Sequence, residues 1–214
     1  KKGSAIFSEP VECLGGEESL LKRIKRKKLK LKLLNTIYKY QNIAKDNKIN
    51  LTGINPTPDN IRGGLSTIEE KSLGAISKSG SKNIIDIIEF GKKIKKNGLN
   101  LLDAPAAAVE NLTALSAAGC QIILFTTGGG NPVGNPISPT IKITANKKTY
   151  KSFKDLIDID LSFLIDSLDY KNGSLKIAKK VYSIINNKKT LSEKNKYLES
   201  NISRFGPSIW SIKF

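Results

Sequence analysis

Histidine and methionine are both absent from this chain of 214 residues, which has only two cysteines and one tryptophan. The missing histidine excludes every catalytic or metal-binding arrangement that depends on an imidazole. No segment approaches the roughly 18 apolar residues of a membrane span, and no basic region precedes a hydrophobic stretch as in a secretory signal. We therefore expect a soluble, cytoplasmic protein with no membrane partner, in which Cys13 and Cys120 are reduced thiols rather than a disulfide. Without an initiator methionine, the chain is expected to be a fragment of a longer protein.

The charge is strongly positive, with 36 lysine and arginine residues against 19 acidic residues and a formal net charge of +17. Such a balance is typical of nucleic-acid-binding proteins. Only four of the basic residues are arginines, however, and arginine is the residue that clamps phosphates and recognises base edges. The excess of lysine comes with abundant isoleucine and asparagine, as expected of an A+T-rich genome. Nucleic acid is therefore disfavoured as a partner, and a salt titration with duplex DNA tests this alternative.

Strands and helices are predicted to alternate along the chain. Short β-branched runs indicate strands, and longer segments with apolar residues at helical spacing indicate helices. The predicted strands are 3–8, 83–88, 98–103, 121–127, 140–144 and 156–161. The predicted helices are 17–47, the segment after Thr67, 104–118 and 173–186. This order favours an α/β fold, with a mostly parallel sheet flanked by helices in Rossmann-like layers and a long basic helix near the N-terminus.

Two of the predicted helices have an apolar stripe that is expected to face the core. In the basic helix 17–47 the stripe consists of Leu20, Ile24, Leu31, Leu34 and Tyr38. Its lysine-rich faces are typical of a solvated surface, with a membrane surface or a nucleic-acid arm as alternatives. In the helix 173–186 the residues predicted to point inward are Leu175, Ala178, Val181, Tyr182 and Ile185.

The segment from Asn55 to Gly74 has the features of a binding site. Two X-Pro turns end in the pair Gly63-Gly64, where backbone N–H groups can converge on an anionic ligand. Ser66 and Thr67 follow as N-cap residues, and glutamates three positions further on make a capping box available in either register. A turn before an ordinary capped helix is the alternative explanation of the same residues.

The same segment resembles the signature of the altronate and galactarate dehydratase family, whose members remove water from sugar acids. That family has Asn-Pro-Ser-Pro-Gly-Asn, a variable basic pair, Gly-Gly-Leu-Thr-Thr and Glu-Lys-Ser-Leu-Gly. The residues that match in register are Asn55, Pro56, Pro58, Asn60, Gly63, Gly64, Leu65, Thr67, Glu70, Lys71, Ser72, Leu73 and Gly74. The run 9–17 is similar to a second family segment, Ser-Glu-x-x-Glu-x-x-Gly-x-Glu. The resemblance extends over nearly the whole chain and implies a single C-terminal domain, 1–214.

The resemblance also implies the reaction and the site. The proton α to a carboxylate is removed and the β-hydroxyl leaves as water, which requires a base and a group that stabilises an enediolate. Without histidine, the predicted catalytic residues are Lys71 and Glu70. Lys71 is a base only where burial favours its neutral form, and is otherwise the ion-pair partner of an acid. The predicted substrate-binding residues are Asn55, Asn60, Arg62, Gly63, Gly64, Ser66, Thr67, Asp103, Thr126, Thr127 and Gly128.

Several of these residues lie at the carboxyl ends of predicted strands, where ligands bind in α/β sheets. Asp103 and the pair Thr126-Thr127 follow two such strands, and the signature loop is expected to join them there. Three carboxylates follow the first strand, those of Glu9, Glu12 and Glu17. They could bind a metal, pair with basic groups of a neighbouring domain, or stabilise the start of a helix. The glycine run 128–130 is neither a Walker A loop nor a dinucleotide fingerprint, which disfavours a nucleotide site.

Cofactors and partners are implied by the family alone. A divalent metal, Fe²⁺ or Mn²⁺, is implied for the whole enzyme, with no metal site evident in this segment. The implied partners are a sugar-acid substrate, upstream domains or a small subunit, and further copies in a homo-oligomer. We therefore expect a site at the edge of the domain that another domain or subunit completes, so that the isolated chain folds but is inactive.

Three departures from the family pattern favour a second hypothesis. The family loop Asp-x-Pro-Gly-x-Asp has alanine here in place of its glycine and its second aspartate, at Ala106 and Ala108. Gly129 stands where the family has arginine, so a bidentate contact with a carboxylate is missing. Asp59 replaces a glycine of the signature. The alternative function is a non-catalytic binding or assembly domain that has kept the same fold.

Overall fold

The computed structural model describes residues 3–48, 58, 61 and 66–202. These residues form two compact units. The first contains the described residues up to Gly119 together with Ile202, and the second spans Cys120–Asn201. Each unit has a three-stranded sheet with helices, and every strand pairing in the two sheets is parallel. The predicted parallel α/β fold is confirmed, with its strands divided between two sheets.

The first unit holds three strands whose carboxyl ends share one edge. Its elements are β1 (Ser4–Phe7), a 3₁₀ helix (Pro10–Cys13), α1 (Glu17–Leu21), α2 (Lys27–Asp46), α3 (Ile68–Ser77), β2 (Ile84–Ile88), β3 (Gly98–Leu102) and α4 (Ala108–Ala117). The strand order is β1-β3-β2. Because all three strands run in the same direction, Ser8, Glu89 and Asp103 follow their ends at one edge of the sheet.

The predicted helix 17–47 is interrupted, and α2 is the long helix near the N-terminus. At the interruption the carbonyl of Arg23 accepts a hydrogen bond from the N–H of Ile84 at 2.9 Å. The guanidinium of Arg26 donates to the carbonyl of Ile85, also at 2.9 Å. These bonds tie the break to β2.

The buried face of α2 differs from the predicted one. The buried residues of α2 are Leu29, Leu33, Thr36, Ile37, Tyr40 and Ala44. Leu31 is 55% exposed and Tyr38 is 40% exposed, so the predicted apolar stripe is wrong for this helix. Leu20 and Ile24 are buried as predicted and belong to the same core as Leu33, although they precede the break.

The core of the first unit is formed where the helices pack on the sheet. Its fully buried side chains include Leu20, Leu33, Ile37, Tyr40 and Leu101. Burying one large apolar side chain contributes about 1.5–3 kcal/mol. The apolar side of α2 is thereby fixed against this core, which leaves its opposite side to solvent.

The second unit is built around a buried central strand. Its elements are β4 (Ile123–Thr126), β5 (Thr140–Thr144), α5 (Lys147–Ser152), β6 (Ile159–Asp160), α6 (Leu164–Ser167), α7 (Tyr170–Ile185) and α8 (Leu191–Lys194). The strand order is β4-β5-β6, and β5 is buried along its whole length. The core residues are Ile141, Ile143, Ile159, Leu161 and Ile184, against which Ile177 and Val181 pack.

The buried face of α7 is not the predicted one, so the prediction is wrong for this helix. Leu175, Tyr182 and Ile185 are 50%, 69% and 63% exposed, and Ala178 is exposed as well. Of the predicted inward residues, only Val181 packs on the core. The inward face is formed by Gly173, Ile177, Val181 and Ile184.

Within the described residues, no helix combines the length and apolar character needed to cross a membrane. Cys13 and Cys120 are free thiols, as predicted. Burial raises the pKa of Cys13 to about 12, helped by the carboxylate of Glu12, and burial raises the pKa of Cys120 to about 11. Both groups are therefore protonated at neutral pH and are poor nucleophiles.

Candidate functional site

Two segments that are distant in the sequence pack together after the end of β1. The first is the run 9–17, and the second is α3 with its N-terminal cap. Gly15 has φ +84°, and a Cβ atom there would lie 2.5 Å from Cγ of Glu69. A Cβ atom at Gly16 would overlap Cδ1 of Ile76. The lack of a side chain at both glycines allows this close approach, and the positive φ of Gly15 favours glycine there.

An ion pair joins the two segments. Nζ of Lys71 lies 3.1 Å from Oε1 of Glu12, and the two side chains are 18% and 7% exposed. Removing Lys71 would take from the buried carboxylate of Glu12 the cation that offsets its charge. Lys71 is thus the partner of an acid, which is one of the two roles considered for it, and its catalytic role stays a prediction.

Glu9 occupies a strained position beside this pair. Its backbone is left-handed, with φ 68° and ψ 59°, directly before the 3₁₀ helix that begins at Pro10. A non-glycine residue in this conformation costs about 1–3 kcal/mol and is found disproportionately at functional sites. Burial, and secondly the carboxylate of Glu12, raises the pKa of Glu9 to about 7, against the opposing effect of Lys78 and Lys71. A carboxyl group of this kind can both hold and release a proton near neutral pH.

The cap of α3 engages three of the predicted site residues. Oγ1 of Thr67 accepts a hydrogen bond from the N–H of Glu70 at 3.1 Å. Oε2 of Glu70 accepts from the N–H of Ser66 at 2.9 Å and from its hydroxyl at 2.7 Å. These bonds from Ser66 lower the pKa of Glu70. The predicted N-cap is confirmed with Thr67 as the cap, and Glu70 is a charged carboxylate already engaged by Ser66.

Asp103 is held from α2 by two residues that the sequence analysis missed. The hydroxyl of Tyr40 donates to Oδ1 of Asp103 at 2.8 Å, and Nζ of Lys39 lies 2.5 Å from Oδ2. Burial, followed by the charge of Asp103, raises the pKa of Tyr40 above its ordinary value, so the phenol stays a donor. Lys39 also lies 4.8 Å from the centre of the Tyr40 ring. Asp103 thereby fixes the ammonium group of Lys39.

The loop after β3 is tied to the end of β1. Nδ2 of Asn111 donates to the carbonyl of Pro105 at 2.7 Å, and the hydroxyl of Ser8 donates to Oδ1 of Asn111 at 2.9 Å. Glu110, in the first turn of α4, is a buried carboxylate two residues after Ala108. It was not predicted, although an acid so close to the position of the missing family aspartate could have been noticed.

Thr126, Thr127 and Gly128 belong to the second unit, whereas the other described site residues belong to the first. Oγ1 of Thr127 accepts a hydrogen bond from the N–H of Gly130 at 3.0 Å, and the carbonyl of Gly128 accepts from the hydroxyl of Thr149 at 2.5 Å. Thr126 ends β4 and is exposed. These groups stabilise their own loop, and the predicted joining of this loop with Asp103 and the signature loop stays a prediction.

The remaining predicted residues, Asn55, Asn60, Arg62, Gly63 and Gly64, lie outside the described residues. Among the residues that are described, no group of three or more His, Cys, Asp or Glu side chains could hold a metal ion. The described side chains alone therefore do not fit the Fe²⁺ or Mn²⁺ that the resemblance implies for the whole enzyme.

Comparison with known proteins points to one family. Residues 1–208 match the family model described as D-galactarate/Altronate dehydratase, C-terminal. Altronate dehydratase of Escherichia coli (strain K12) is 33% identical over 209 residues, which cover 97% of this chain and 41% of that protein. Altronate dehydratase of Bacillus subtilis (strain 168) is 37% identical over 166 residues, covering 77% of this chain and 33% of that protein.

A sulfo-lyase subunit is also similar to this chain. The (2R)-sulfolactate sulfo-lyase subunit beta of Chromohalobacter salexigens is 35% identical over 159 residues, covering 73% of this chain and 41% of that protein. The chain spans less than half of the length of each of these three relatives. The family model nevertheless extends over nearly all of this chain. The chain therefore belongs to the D-galactarate/altronate dehydratase family and corresponds to its C-terminal region.

Proposed function

We propose that this chain supplies part of the active site of a hydro-lyase that dehydrates a sugar acid such as altronate or galactarate. One observation carries the proposal. The two family segments pack together after β1 and bring Glu9, Glu12 and Lys71 into one cluster, called here the acid–base cluster. The names of the relatives, which include altronate and galactarate dehydratases, support the same class of substrate.

The acid–base cluster contains the groups that a dehydration requires. Glu9, with a pKa of about 7, is suited to take the proton α to the substrate carboxylate at neutral pH. The electron pair of that C–H bond forms the enediolate, whose negative charge the ammonium of Lys71 stabilises. When the double bond forms, the C–O bond at the β-carbon breaks and the hydroxyl leaves as water with a proton from Lys71. The ion pair with Glu12 positions the ammonium group of Lys71 for both tasks.

Glu70 is the weaker of the two predicted catalytic residues. Its carboxylate is exposed, and the hydrogen bonds from Ser66 lower its pKa. Both effects reduce its strength as a base at neutral pH. Replacement of Glu9 by glutamine should therefore lower kcat more than replacement of Glu70 by glutamine.

The activity is best tested in a chimera, because the chain spans only part of its relatives. The matched region of the Escherichia coli altronate dehydratase is replaced by this chain, and turnover of altronate, galactarate and (2R)-sulfolactate is measured. We expect dehydration of at least one sugar acid by the chimera and none by the 214-residue chain alone. Measurable turnover by the chain alone would overturn the prediction that another domain or subunit completes the site.

Two substitutions at Lys71 separate its chemistry from its structural role. Lys71→Ala should lower kcat of the chimera by about 100-fold or more. Lys71→Arg keeps a positive charge opposite Glu12 and should therefore preserve folding and charge stabilisation, but an arginine does not donate its proton. Undiminished turnover in Lys71→Ala would remove Lys71 from the reaction.

The departures from the family pattern support one alternative, a non-catalytic binding or assembly domain. Ala106, Ala108 and Gly129 lack the side chains that the family has there. A chimera that folds and assembles normally but turns over none of the three acids would favour this alternative.

A further inference from the structure

Helix α7 of the second unit has a second apolar stripe, on the side that faces away from the core. Leu175, Ala178, Tyr182 and Ile185 are exposed and are called here the outer stripe. They recur at intervals of three, four and three residues, so they lie along one line over about 15 Å of helix. Exposed apolar side chains that stand alone are common, but a narrow line at this spacing is typical of the seam between two packed helices. The outer stripe therefore has the pattern of a helix-docking surface.

The opposite face of α7 is held by its own unit. Ile177, Val181 and Ile184 belong to the core of the second unit or pack against it. Nζ of Lys180 lies 2.8 Å from Oδ1 of the buried Asp158. These contacts fix the position of α7, so its outer stripe is presented without any change in the core. A partner that binds there meets a preformed surface and loses little affinity to ordering it.

The outer stripe has a depression at its centre. Ala178 has a side chain of one carbon atom, whereas Leu175 and Tyr182 on either side of it are large. In packed helices, a large side chain of one helix fits into a space bounded by residues of the other. Ala178 leaves such a space between Leu175 and Tyr182. The shape therefore suits a partner helix whose own seam has large apolar side chains.

The charge beside the outer stripe is of one sign. The 16 residues of α7 include four lysines and no acidic residue. Lys171 and Lys179 each lie four residues from Leu175 and therefore flank the stripe. Within the described residues, neither of their ammonium groups makes a hydrogen bond or an ion pair, unlike that of Lys180. Because no carboxylate of the described residues offsets these two charges, carboxylates of a partner would be attracted to them.

This charge argues against occupants that come from the chain itself. A second copy would bring a helix without acidic residues, and a formal net charge of +17, against the same lysines. Like charges that face one another destabilise such a pairing. The residues outside the described ranges include a single acid, Asp59, and so cannot supply an acidic helix. A membrane surface is disfavoured as well, because four side chains in a narrow line offer little apolar area to lipid.

We propose that the outer stripe of α7 binds an amphipathic helix of a protein partner, with apolar residues along its seam and acidic residues beside them. The apolar seam packs on Leu175, Tyr182 and Ile185, and carboxylates of the partner pair with Lys171 and Lys179. The partner helix is not part of this chain. Such docking is independent of the reaction proposed above, since none of these residues belongs to the acid–base cluster.

Designed peptides test the chemistry of the partner. One peptide of about three heptads has leucine at the seam positions and glutamate beside them, and a second has the same seam with lysine beside it. A third keeps the glutamates but has serine at the seam. Each is titrated into the ¹⁵N-labelled 214-residue chain while amide chemical shifts are followed. We expect the first peptide to shift the amides of α7 and to bind about tenfold more tightly than either of the others. Equal binding of the lysine peptide, or shifts that spare α7, would overturn the proposal.

A matched pair of tyrosines tests the surface. Tyr182 belongs to the outer stripe, whereas Tyr170 lies about 120° away around the same helix. Their side chains are 69% and 66% exposed, and serine has about the same helix propensity as tyrosine, so neither substitution should affect folding. Tyr182→Ser should weaken binding of the glutamate peptide about tenfold, and Tyr170→Ser should leave it within about twofold. Equal affinities of the two variants would refute the assignment of the outer stripe.

A charge reversal tests the role of the two lysines. The double variant Lys171→Glu, Lys179→Glu puts carboxylates beside the outer stripe and leaves its apolar side chains in place. It should bind the lysine peptide more tightly than the glutamate peptide, because opposite charges then face one another. An unchanged preference for the glutamate peptide would contradict the proposed pairing.

Two further measurements distinguish the other occupants. In sedimentation equilibrium, association of the 214-residue chain with itself should not depend on Tyr182. A dimer that Tyr182→Ser dissociates, and Tyr170→Ser does not, would assign the outer stripe to a second copy and overturn the proposal. Vesicles of phosphatidylcholine and phosphatidylserine should bind both variants equally. Vesicle binding that only Tyr182→Ser abolishes would assign the stripe to a membrane surface instead.

Discussion

The two units of this chain contain sheets of the same size and type, but they place their charged side chains differently. In the first unit, Glu9 and Asp103 lie at the carboxyl edge of the sheet, and Asp103 borders an open groove. In the second unit two charged side chains lie in the interior. Lys142, in the middle of β5, is fully buried and donates from Nζ to Oγ of Ser192. The side chain of Asp158 is also fully buried, 2.8 Å from Nζ of Lys180.

The comparison shows that an altered pKa does not by itself identify a site. Burial lowers the pKa of Lys142 to about 8, against the opposing effect of Asp158. Burial also raises the pKa of Glu9 to about 7. Lys142 is buried in the core of its unit, whereas Glu9 has a strained backbone at the start of one of the two family segments. Position at a strand end, rather than titration, separates the candidate site from the supporting structure.

The largest effect is expected from removal of the buried charge of the second unit. Asp158 accepts hydrogen bonds from the N–H groups of Lys142 and Leu191, both at 3.0 Å, in addition to its ion pair with Lys180. Asp158→Ala leaves these donors unsatisfied, so the free energy of unfolding should fall by about 3–5 kcal/mol. Urea-induced unfolding measures this loss.

The matched control for Asp158 is Asp155→Ala. Asp155 is exposed, and its substitution should change the free energy of unfolding by less than about 0.5 kcal/mol. Equal losses in the two variants would contradict a supporting role for Asp158.

A pH dependence of stability is expected from Glu9. Its pKa is raised from 4.5 to about 7 in the folded protein, so the folded state binds a proton that the unfolded state has already released. This contribution to stability is present in full below pH 4.5 and is lost as the pH rises through 7, by up to about 3 kcal/mol. The stability of the Glu9→Gln variant should not show this loss when urea unfolding is compared at pH 4.5 and pH 8.

Lys142 should make the free energy of unfolding depend on pH in the opposite direction. Its pKa is lowered from 10.5 to about 8, so stability should rise as the pH increases between these values. Lys142→Met should abolish this rise and leave the slope due to Glu9 intact. A common slope in both variants would contradict the assignment of the two groups.

A moderate loss of stability is expected when the hydrogen bond from Tyr40 to Asp103 is removed. Tyr40 is fully buried, and its hydroxyl is a hydrogen-bond donor to Asp103. Tyr40→Phe should lower the free energy of unfolding by about 1–2 kcal/mol, because an oxygen of Asp103 loses its donor. Tyr38→Phe, on the exposed part of the same helix, should have almost no effect. Differential scanning calorimetry of the two variants checks this difference.

The smallest effect on the free energy of unfolding is expected in the glycine run 128–130, which follows β4. Gly130 has φ +90°, and a Cβ atom there would lie 2.8 Å from Cδ2 of Phe153. Gly130→Ala should therefore cost about 1 kcal/mol, whereas Gly129→Ala, with nothing within 4 Å, should cost less. A Gly129→Arg variant should fold normally for the same reason, which allows the family arginine to be restored and its effect on the chimera measured.

The parallel α/β fold could be predicted because strands and helices alternate visibly in the sequence. Which face of each helix is buried could not be predicted from the sequence. In α7, Leu175, Tyr182 and Ile185 recur at helical spacing just as the core-facing Ile177, Val181 and Ile184 do. Periodicity detects a helix with two apolar stripes, but only the position of the sheet decides which stripe is buried.

The candidate site was predictable only where its residues are local in the sequence. The Thr67 cap and its bond with Glu70 lie within one helical turn, and both were predicted. Lys39 and Tyr40 were missed because their partner, Asp103, is more than 60 residues away. Glu9 was recognised as an acid at a strand end, but its altered titration depends on burial, which the sequence does not reveal.

The strand order of the first sheet also determines when it can form during synthesis. β3 joins β1 and β2, yet it follows both in the sequence, and Ser4 pairs with Gly98. During synthesis, β1 and β2 therefore have no strand to pair with until β3 has left the ribosome. Such a delay slows folding and favours association with other chains. In the second sheet, Ile123 pairs with Thr140 across a much shorter loop. The part of the chain that holds the acid–base cluster thus depends more on contacts between residues that are distant in the sequence.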